Sequence, residues 1–334
     1  MLALGAMVVV LALAAAFDAW VSARVEQATL IRARLQDRLD AYSTRSTVLF
    51  LLATQRFTRA GLTTAEEPPA DTDDTVGTLR IDPVGGEIAL DGTAYAGMGR
   101  VVFALQDEAG LVALNSDTPE RLEGLIARFD DTEGSVATLL DALADYRDGN
   151  SLKRLNGAER DDYTAAGLPP PANGDLRSAP EILQVYGWRD WLRSRPGFRL
   201  HDWLSPGRAD VFDPNVVPPS LAEWLPGMDA ASARRLLDER AREPFRSMPD
   251  FSARVDVELP LSDDQYRFFP SGNLRLTLWT GGSAHAEMLA IQSTPLDPAA
   301  PWQIDGVYSF TLPSQDMPNE APGQYFRPRA PATR

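Results

Sequence analysis

The sequence predicts an α+β chain, and three observations carry the prediction. Although 24 glycines and 26 prolines are spread over 334 residues, neither type occurs from Ala6 to Ala60, so a single long helix opens the chain. Strand texture appears on both sides of a long middle block and nowhere within it. That block instead shows helical spacing with recognisable caps. The resulting order is helix, strands, a large helical block, strands, which is a small sheet split by an all-helical insertion.

Met1 to Phe17 contains no charged or strongly polar side chain. At 1.5 Å per residue it covers roughly 25 Å, the short end of a membrane crossing. Asp18 and Trp20 then mark an interface, with the indole suited to the headgroup level. Beyond Trp20 the residues Val21, Val25, Ala28, Leu35, Leu39, Tyr42, Leu49 and Leu52 advance by threes, fours and sevens. This is a helical stripe expected to pack on a globular domain. A secretory signal peptide would show a basic start and a break after a small-residue cleavage site, whereas here the helix pattern continues. A buried core helix would show a polar face from the start.

Glu66 to Asp74 is a connector rich in proline and acid. Thr78 to Leu90 and Arg100 to Gln106 read as strands around a glycine-rich turn, and Asp107-Glu108-Ala109-Gly110 closes the second strand. Thr118-Pro119-Glu120 supplies an N-cap, an N1 proline and an early acid, followed by Leu122, Leu125, Ile126 and Phe129 at helical spacing. Val136 to Tyr146 reads as a second helix capped by Ser135, and further helices fit Ala179 to Tyr186 and Leu221 to Glu243. Strands return at Asn273 to Trp279, where Leu274, Leu276 and Leu278 share one face, then at Ala284 to Ser293 and Gln303 to Leu312. The expected domains are therefore 1–20 for the membrane part of the helix, 21–60 for its continuation, and 61–114 for the first part of the sheet. The inserted helical domain takes 115–264, the closing strands 265–312, and a mobile tail 313–334.

Composition narrows the function. The net charge is −15, from 47 acidic and 32 basic residues, which disfavours nucleic acid as a partner. There is no cysteine, so disulfides, thiolate metal sites and thiol nucleophiles are excluded. His201 and His285 are the only histidines, and neither a Gly-x-Ser-x-Gly elbow nor a Walker loop occurs. Gly97-Met98-Gly99 lacks the third glycine of a dinucleotide fingerprint. The chain reads as a non-enzyme. The aromatic run Tyr186, Trp188, Trp191, Phe198 and Trp203 is compatible with core packing or with an exposed surface.

Several motifs then occur in order. They are Asp107-Glu108-Ala109-Gly110 through Asn115, Asp145-Tyr146-Arg147-Asp148-Gly149-Asn150, Asn156-Gly157-Ala158-Glu159 with Tyr163, and Ser178-Ala179-Pro180-Glu181-Ile182-Leu183. Leu225-Pro226-Gly227-Met228, the segment Arg234 to Arg240, and Pro244-Phe245-Arg246-Ser247 follow. Together, behind a helix of this length, they resemble the K-type minor pseudopilins of type II secretion systems over nearly the whole chain. Two departures stand out: Val211-Phe212-Asp213-Pro214-Asn215 replaces the family's Asn-Thr-Ala stretch, and Tyr146 replaces its tryptophan.

The resemblance implies a pilin-like helix packed on a small antiparallel sheet, with an inserted helical domain containing a helix-hairpin-helix (SAM-like) segment. It implies a single-pass protein of the cell inner membrane with its C-terminal domain in the periplasm. It also implies a place at the tip of a pseudopilus beside I-type and J-type minor pseudopilins. Other pseudopilins, the inner-membrane assembly platform and a prepilin peptidase are the further implied partners. A basic leader ending in glycine is expected ahead of Met1, with Gly5-Ala6 as the candidate cleavage point in the sequence at hand. Most pseudopilins bear a glutamate early in the mature helix, and K-type members lack it; here no acid precedes Asp18. The alternatives are a helix-hairpin-helix nucleic-acid-binding module on a membrane anchor, as in competence proteins, and a minor pilin of a related type IV system.

One cluster points to a cation. Asp145, Asp148 and Asn150 fall at a helix end and loop, and Glu159, Asp161 and Asp162 return a few residues later. A hard cation takes six to eight oxygens from such a turn-rich pocket. The resemblance makes calcium the expected ion, held structurally by Asp145, Asp148, Asn150, Glu159 and Asp162. The competing reading is a helix C-terminus followed by a solvated loop, with Asn156-Gly157 as a turn.

Overall fold

The structure is a computed structural model that describes residues 2–64, 81–129, 133–208, 211–259, 265–295 and 297–312. Helix α1 runs over Leu2–Thr54. It is 53 residues long, roughly 80 Å at the usual rise. It ends before the expected Ala60, because Phe57–Thr58 (β1) and Gly61–Leu62 (β2) fold into a tight antiparallel hairpin. Gly61 has φ 139°, and a Cβ there would run into the carbonyl of Ile88, so glycine is required. Leu62 and Ile88 exchange main-chain hydrogen bonds of 2.9 and 2.8 Å, which fastens this corner to the sheet.

The sheet has five antiparallel strands: β3 (Asp91–Ala96), β4 (Val101–Asp107), β7 (Asn273–Thr280), β8 (His285–Ser293) and β9 (Trp302–Thr311), in that spatial order. The expected strand over Thr78 to Leu90 is displaced. Residues 65–80 lie outside the described residues, Ile81 to Leu90 make only the Ile88 bridge, and the strand falls at Asp91–Ala96. Of the glycines that read as a turn, Gly92 lies within this strand and Gly97 and Gly99 follow it, and Tyr95 pairs with Phe103 of β4. The three later strands stand where alternation places them, within one residue. Val101, Phe103 and Leu105 join Leu274, Leu276 and Leu278 on one face, and α1 covers it through Val48, Leu49 and Leu52. Val102, Ala104 and Trp279 occupy the opposite face.

Residues 115–264 leave and re-enter the sheet between β4 and β7, which are direct neighbours with Asp107 opposite Leu274. Short β5 (Val112–Ala113) and β6 (Leu204–Ser205) pair in parallel beside them. The helices are α2 (Glu120–Phe129), α3 (Glu133–Arg147), α4 (Arg160–Ala165), α5 (Trp188–Arg193), α6 (Leu200–Trp203), α7 (Pro219–Ala222), α8 (Ala230–Arg242) and α9 (Met248–Val255). Three expectations are corrected in detail. Helix α3 begins at Glu133, so Ser135 lies inside its first turn. Ala179–Gln184 is a 3-10 helix. The segment Leu221 to Glu243 is broken, because Leu225 to Met228 turns with Gly227 at φ 79° and Asp229 caps a new helix by accepting from the amides of Ala231 and Ser232.

The helical body has its own core, in which Trp188, Trp191, Phe198 and Trp203 are buried with Phe129 packed against them. This settles the aromatic run as packing: Phe129 and Phe198 stand 5.3 Å apart edge to face, as do Trp191 and Phe198. The tail after Leu312, expected to be mobile, lies outside the described residues.

Candidate interaction helix and carboxylate loop

The expected stripe on α1 divides in two. Its C-terminal end packs, with Leu49 and Leu52 buried, but Val25, Leu35 and Leu39 are exposed and Tyr42 is 69% exposed. The face that meets the domain is set by Asp37, Asp40, Thr44 and Val48, largely polar residues that a hydrophobic pattern passes over. Arg100 donates to Asp37 at 2.7 Å, and Thr44 Oγ1 accepts from the main-chain N–H of Met98 at 2.9 Å. Gly97-Met98-Gly99 thus forms the β3–β4 turn and seats it on α1. A Cβ at Gly97 would stand 2.7 Å from Thr44 Cγ2, and one at Gly99 (φ 59°) would overlap the Asp40 carboxylate.

From Gly5 to Gln36 the helix projects beyond its own domain, with Met7, Val10, Leu11, Leu13, Phe17 and Trp20 all exposed. Among the described residues this is the one helix long and apolar enough to cross a membrane, by length and composition, and its apolar window is 0% buried. Exposed apolar area of that extent is of the kind that lipid or other helices cover. Val21, Ala28 and Leu35 recur every seven residues on this free stretch, a helix-pairing period that Tyr42 continues.

The carboxylates expected to hold a cation converge around the end of α3 and the loop after it. Asp145 is 0% exposed on α3, and Gly157 approaches it so closely that a Cβ there would overlap its carboxylate. Its Oδ1 accepts from Arg154 Nη1 at 2.6 Å, and the same nitrogen donates to Asp148 Oδ2 at 2.6 Å. Asn150 faces its own loop, where Oδ1 accepts from Leu152 N–H at 2.7 Å. Asp162 accepts from Lys153 Nζ at 2.8 Å and, through Oδ2, from the Glu159 amide at 2.9 Å, completing a capping box at the start of α4. The hydrogen bond from Lys153 holds the Asp162 carboxyl below its ordinary range. Asp161 sits in the first turn of α4.

Glu159 is the unsatisfied member. It is 9% exposed, and its Oε1 is buried without a hydrogen-bond partner. Burial raises its carboxyl above the usual range, and the negative charges of Asp145, Asp148 and Asp162 push it further the same way. The cluster therefore stays negative even with Arg154 and Lys153 in place. Its donor set, all oxygen with one orphaned acceptor, suits a hard cation such as calcium. As arranged, no three His, Cys, Asp or Glu side chains among the described residues form a ligand group. Arg154 and Lys153 are not evident from ligand spacing; the signal for them was two cations set between acids at positions 148 and 159.

Four arginines at or near the hairpin bond within the body. Arg235 donates to the carbonyl of Val255 (2.9 Å), Arg240 to that of Val217 (2.6 Å), and Arg254 to that of Glu239 (2.6 Å). Arg242 pairs with Glu239 at 2.6 Å, and Leu225 and Met228 at the turn are buried.

Residues 102–195, from β4 to the end of α5, match the family model of the first domain of "Type II secretion system (T2SS), protein K". Among solved structures, a chain of the GspK-GspI-GspJ complex from the type 2 secretion system of enterotoxigenic Escherichia coli is 16% identical. That match covers 67% of this chain and 84% of the other, with a TM-score of 0.44. No curated protein matches significantly. Over residues 102–195, the chain is similar to the first domain of type II secretion system protein K.

Proposed function

We propose that this protein is a non-enzymatic minor pseudopilin of a type II protein secretion system that caps the tip of the periplasmic pseudopilus and helps to start its assembly. The observation that carries the reading is the free half of α1: an exposed apolar helix joined to a domain whose middle matches secretion protein K. Such a helix can wait in the inner membrane and then exchange lipid for the helices of I-type and J-type partners. The helical body, with its own core, is too bulky to lie buried along a fibre and suits an end position. The absence of an acid before Asp18 fits a first subunit, which has no protomer above it to neutralise.

The helix-hairpin-helix reading of α7, the Leu225–Met228 turn and α8 is retained as packing, because Arg235, Arg240 and Arg242 are occupied by carbonyls and a carboxylate. Structural calcium at Asp145, Asp148, Asn150, Glu159 and Asp162 belongs to the same proposal, supported by the orphaned Glu159 oxygen. Co-purification of the full chain in detergent with I-type and J-type minor pseudopilins tests the assignment. A stable complex is expected, and a clean monomer in their presence would overturn it.

A further inference from the structure

One nitrogen bridges two carboxylates in the loop after α3. Arg154 Nη1 lies 2.6 Å from Asp145 Oδ1 and 2.6 Å from Asp148 Oδ2. Calcium takes carboxylate oxygens at about 2.3–2.6 Å, so this nitrogen stands where a bridging metal would. The next cation in the chain does the same duty on the other side, with Lys153 Nζ 2.8 Å from Asp162 Oδ1. The main chain reinforces the grip, since the Arg154 N–H donates to Asp145 Oδ2 at 3.1 Å. Within the field of Asp145, Asp148 and Asp162, the Glu159 Oε1 is buried with no hydrogen-bond partner.

We infer that Lys153 and Arg154 are a tethered counterion clip that closes the carboxylate cluster in the absence of metal, and that a divalent cation enters only by displacing the Arg154 guanidinium. The displacement half of this rests on the calcium reading given above; the clip half does not. Both cations belong to one exposed loop, so they are delivered together and leave together. That loop also carries Leu152 and Leu155, which are 79% and 94% exposed. The occupant of the cluster therefore decides how two leucines without cover are presented. A buried Asp145 stripped of its cation is costly, so the clip has a stability of its own. Competition between two cations for one position makes their binding reciprocal: whatever weakens the clip tightens the metal.

The test is calorimetric titration of calcium into the full chain in detergent after treatment with EDTA, for wild type, Arg154→Gln and Lys153→Gln, together with melting in EDTA. Arg154→Gln is expected to bind calcium about tenfold tighter than wild type and Lys153→Gln about threefold, ordinary coupling strengths. In EDTA, Arg154→Gln melts below wild type, and saturating calcium closes the gap. Equal or weaker calcium binding by Arg154→Gln overturns the displacement, and a melting point in EDTA equal to wild type overturns the clip. If Arg154→Gln does not fold, Lys153→Gln decides, because its side chain is solvent-exposed; unchanged affinity there overturns the inference. Calcium binding by none of the three proteins removes the metal reading and the displacement together. It leaves the pseudopilin assignment standing, since that rests on co-purification.

Discussion

The sheet body and the helical body solve the same problem with different side chains. The sheet core is almost wholly aliphatic, built from Leu62, Ile88, Leu90, Leu105, Leu274, Leu276, Leu278, Leu289 and Ile291 around Phe103. The helical core is crowded with rings: Trp188, Trp203, Tyr163, Phe212, Phe245 and Phe251 are among its fully buried side chains. Strands of six to ten residues offer a regular lattice on which branched side chains interlock. Helices of four to eight residues, such as α4 to α7 and α9, offer one or two inward positions each. A large ring must then reach across several elements at once. Phe129 does so, touching Trp191, Phe198, Trp203 and Trp224.

Between the two cores runs a polar seam. Arg240 of α8 meets Asp91 of β3 at 2.5 Å, and Arg275 of β7 donates to the carbonyls of His201 and Leu204 at 3.0 and 2.7 Å. Gln106 of β4 donates to the carbonyl of Val216 at 2.8 Å, and buried Asp213 lies in the same layer. The seam orients the bodies by directional bonds, and Val216 of the helical body reaches into the sheet core.

Four perturbations set the contrast in order of size. Trp188→Ala should cost about 3–5 kcal/mol, as truncation of a fully buried ring does, and should destabilise the helical body first. Hydrogen exchange that rises in α3 and α5 while β7 and β8 stay protected would confirm separate cores; equal loss in both would refute them. Arg240→Ala should cost about 3 kcal/mol in urea unfolding, because Asp91 is left buried beside no cation.

Asp213→Asn probes the seam through pH. Burial pushes the Asp213 carboxyl up to about 8, with the charge of Asp107 adding to it. An unfolded carboxyl ionises near 4, so folding takes up a proton across the interval between these values. The stability due to this group is complete below the unfolded range and is lost as pH rises toward 8. Asp107, itself raised by burial, acts in the same direction. Urea midpoints at pH 5 and pH 8 should therefore differ less in Asp213→Asn than in wild type. The smallest effect belongs to Leu39→Ser: at an exposed site it should change stability by less than about 0.5 kcal/mol while weakening capture by partner helices. A large loss of stability would mean that this face packs on its own domain.

Legibility in the sequence followed the regularity of each element. The strands at 273–312 were readable because period-two alternation has one burial consequence. Strand β3 was hidden because Gly92 lies within it and Gly97 and Gly99 follow it, so that Asp91 to Ala96 looks like a turn. The length of α1 was evident, but its docking face was not, since Asp37, Asp40 and Thr44 hold it by polar contacts while Leu35 and Leu39 stay free. The carboxylate loop was found from its oxygens; its cations went unnoticed because ligand spacing counts acceptors and ignores the donors between them.

The place where the helical body joins the sheet has a mechanical meaning. It is entered after Asp107 and left at Ser271, whose hydroxyl lies 2.6 Å from the Asp107 carboxylate. Helix α1 is applied to β4, β7 and β9, so a pull along the helix loads the strands directly. The helical body is held by this gatepost and by the polar seam, both to one side of the line from helix to strands, so it rides beside that load.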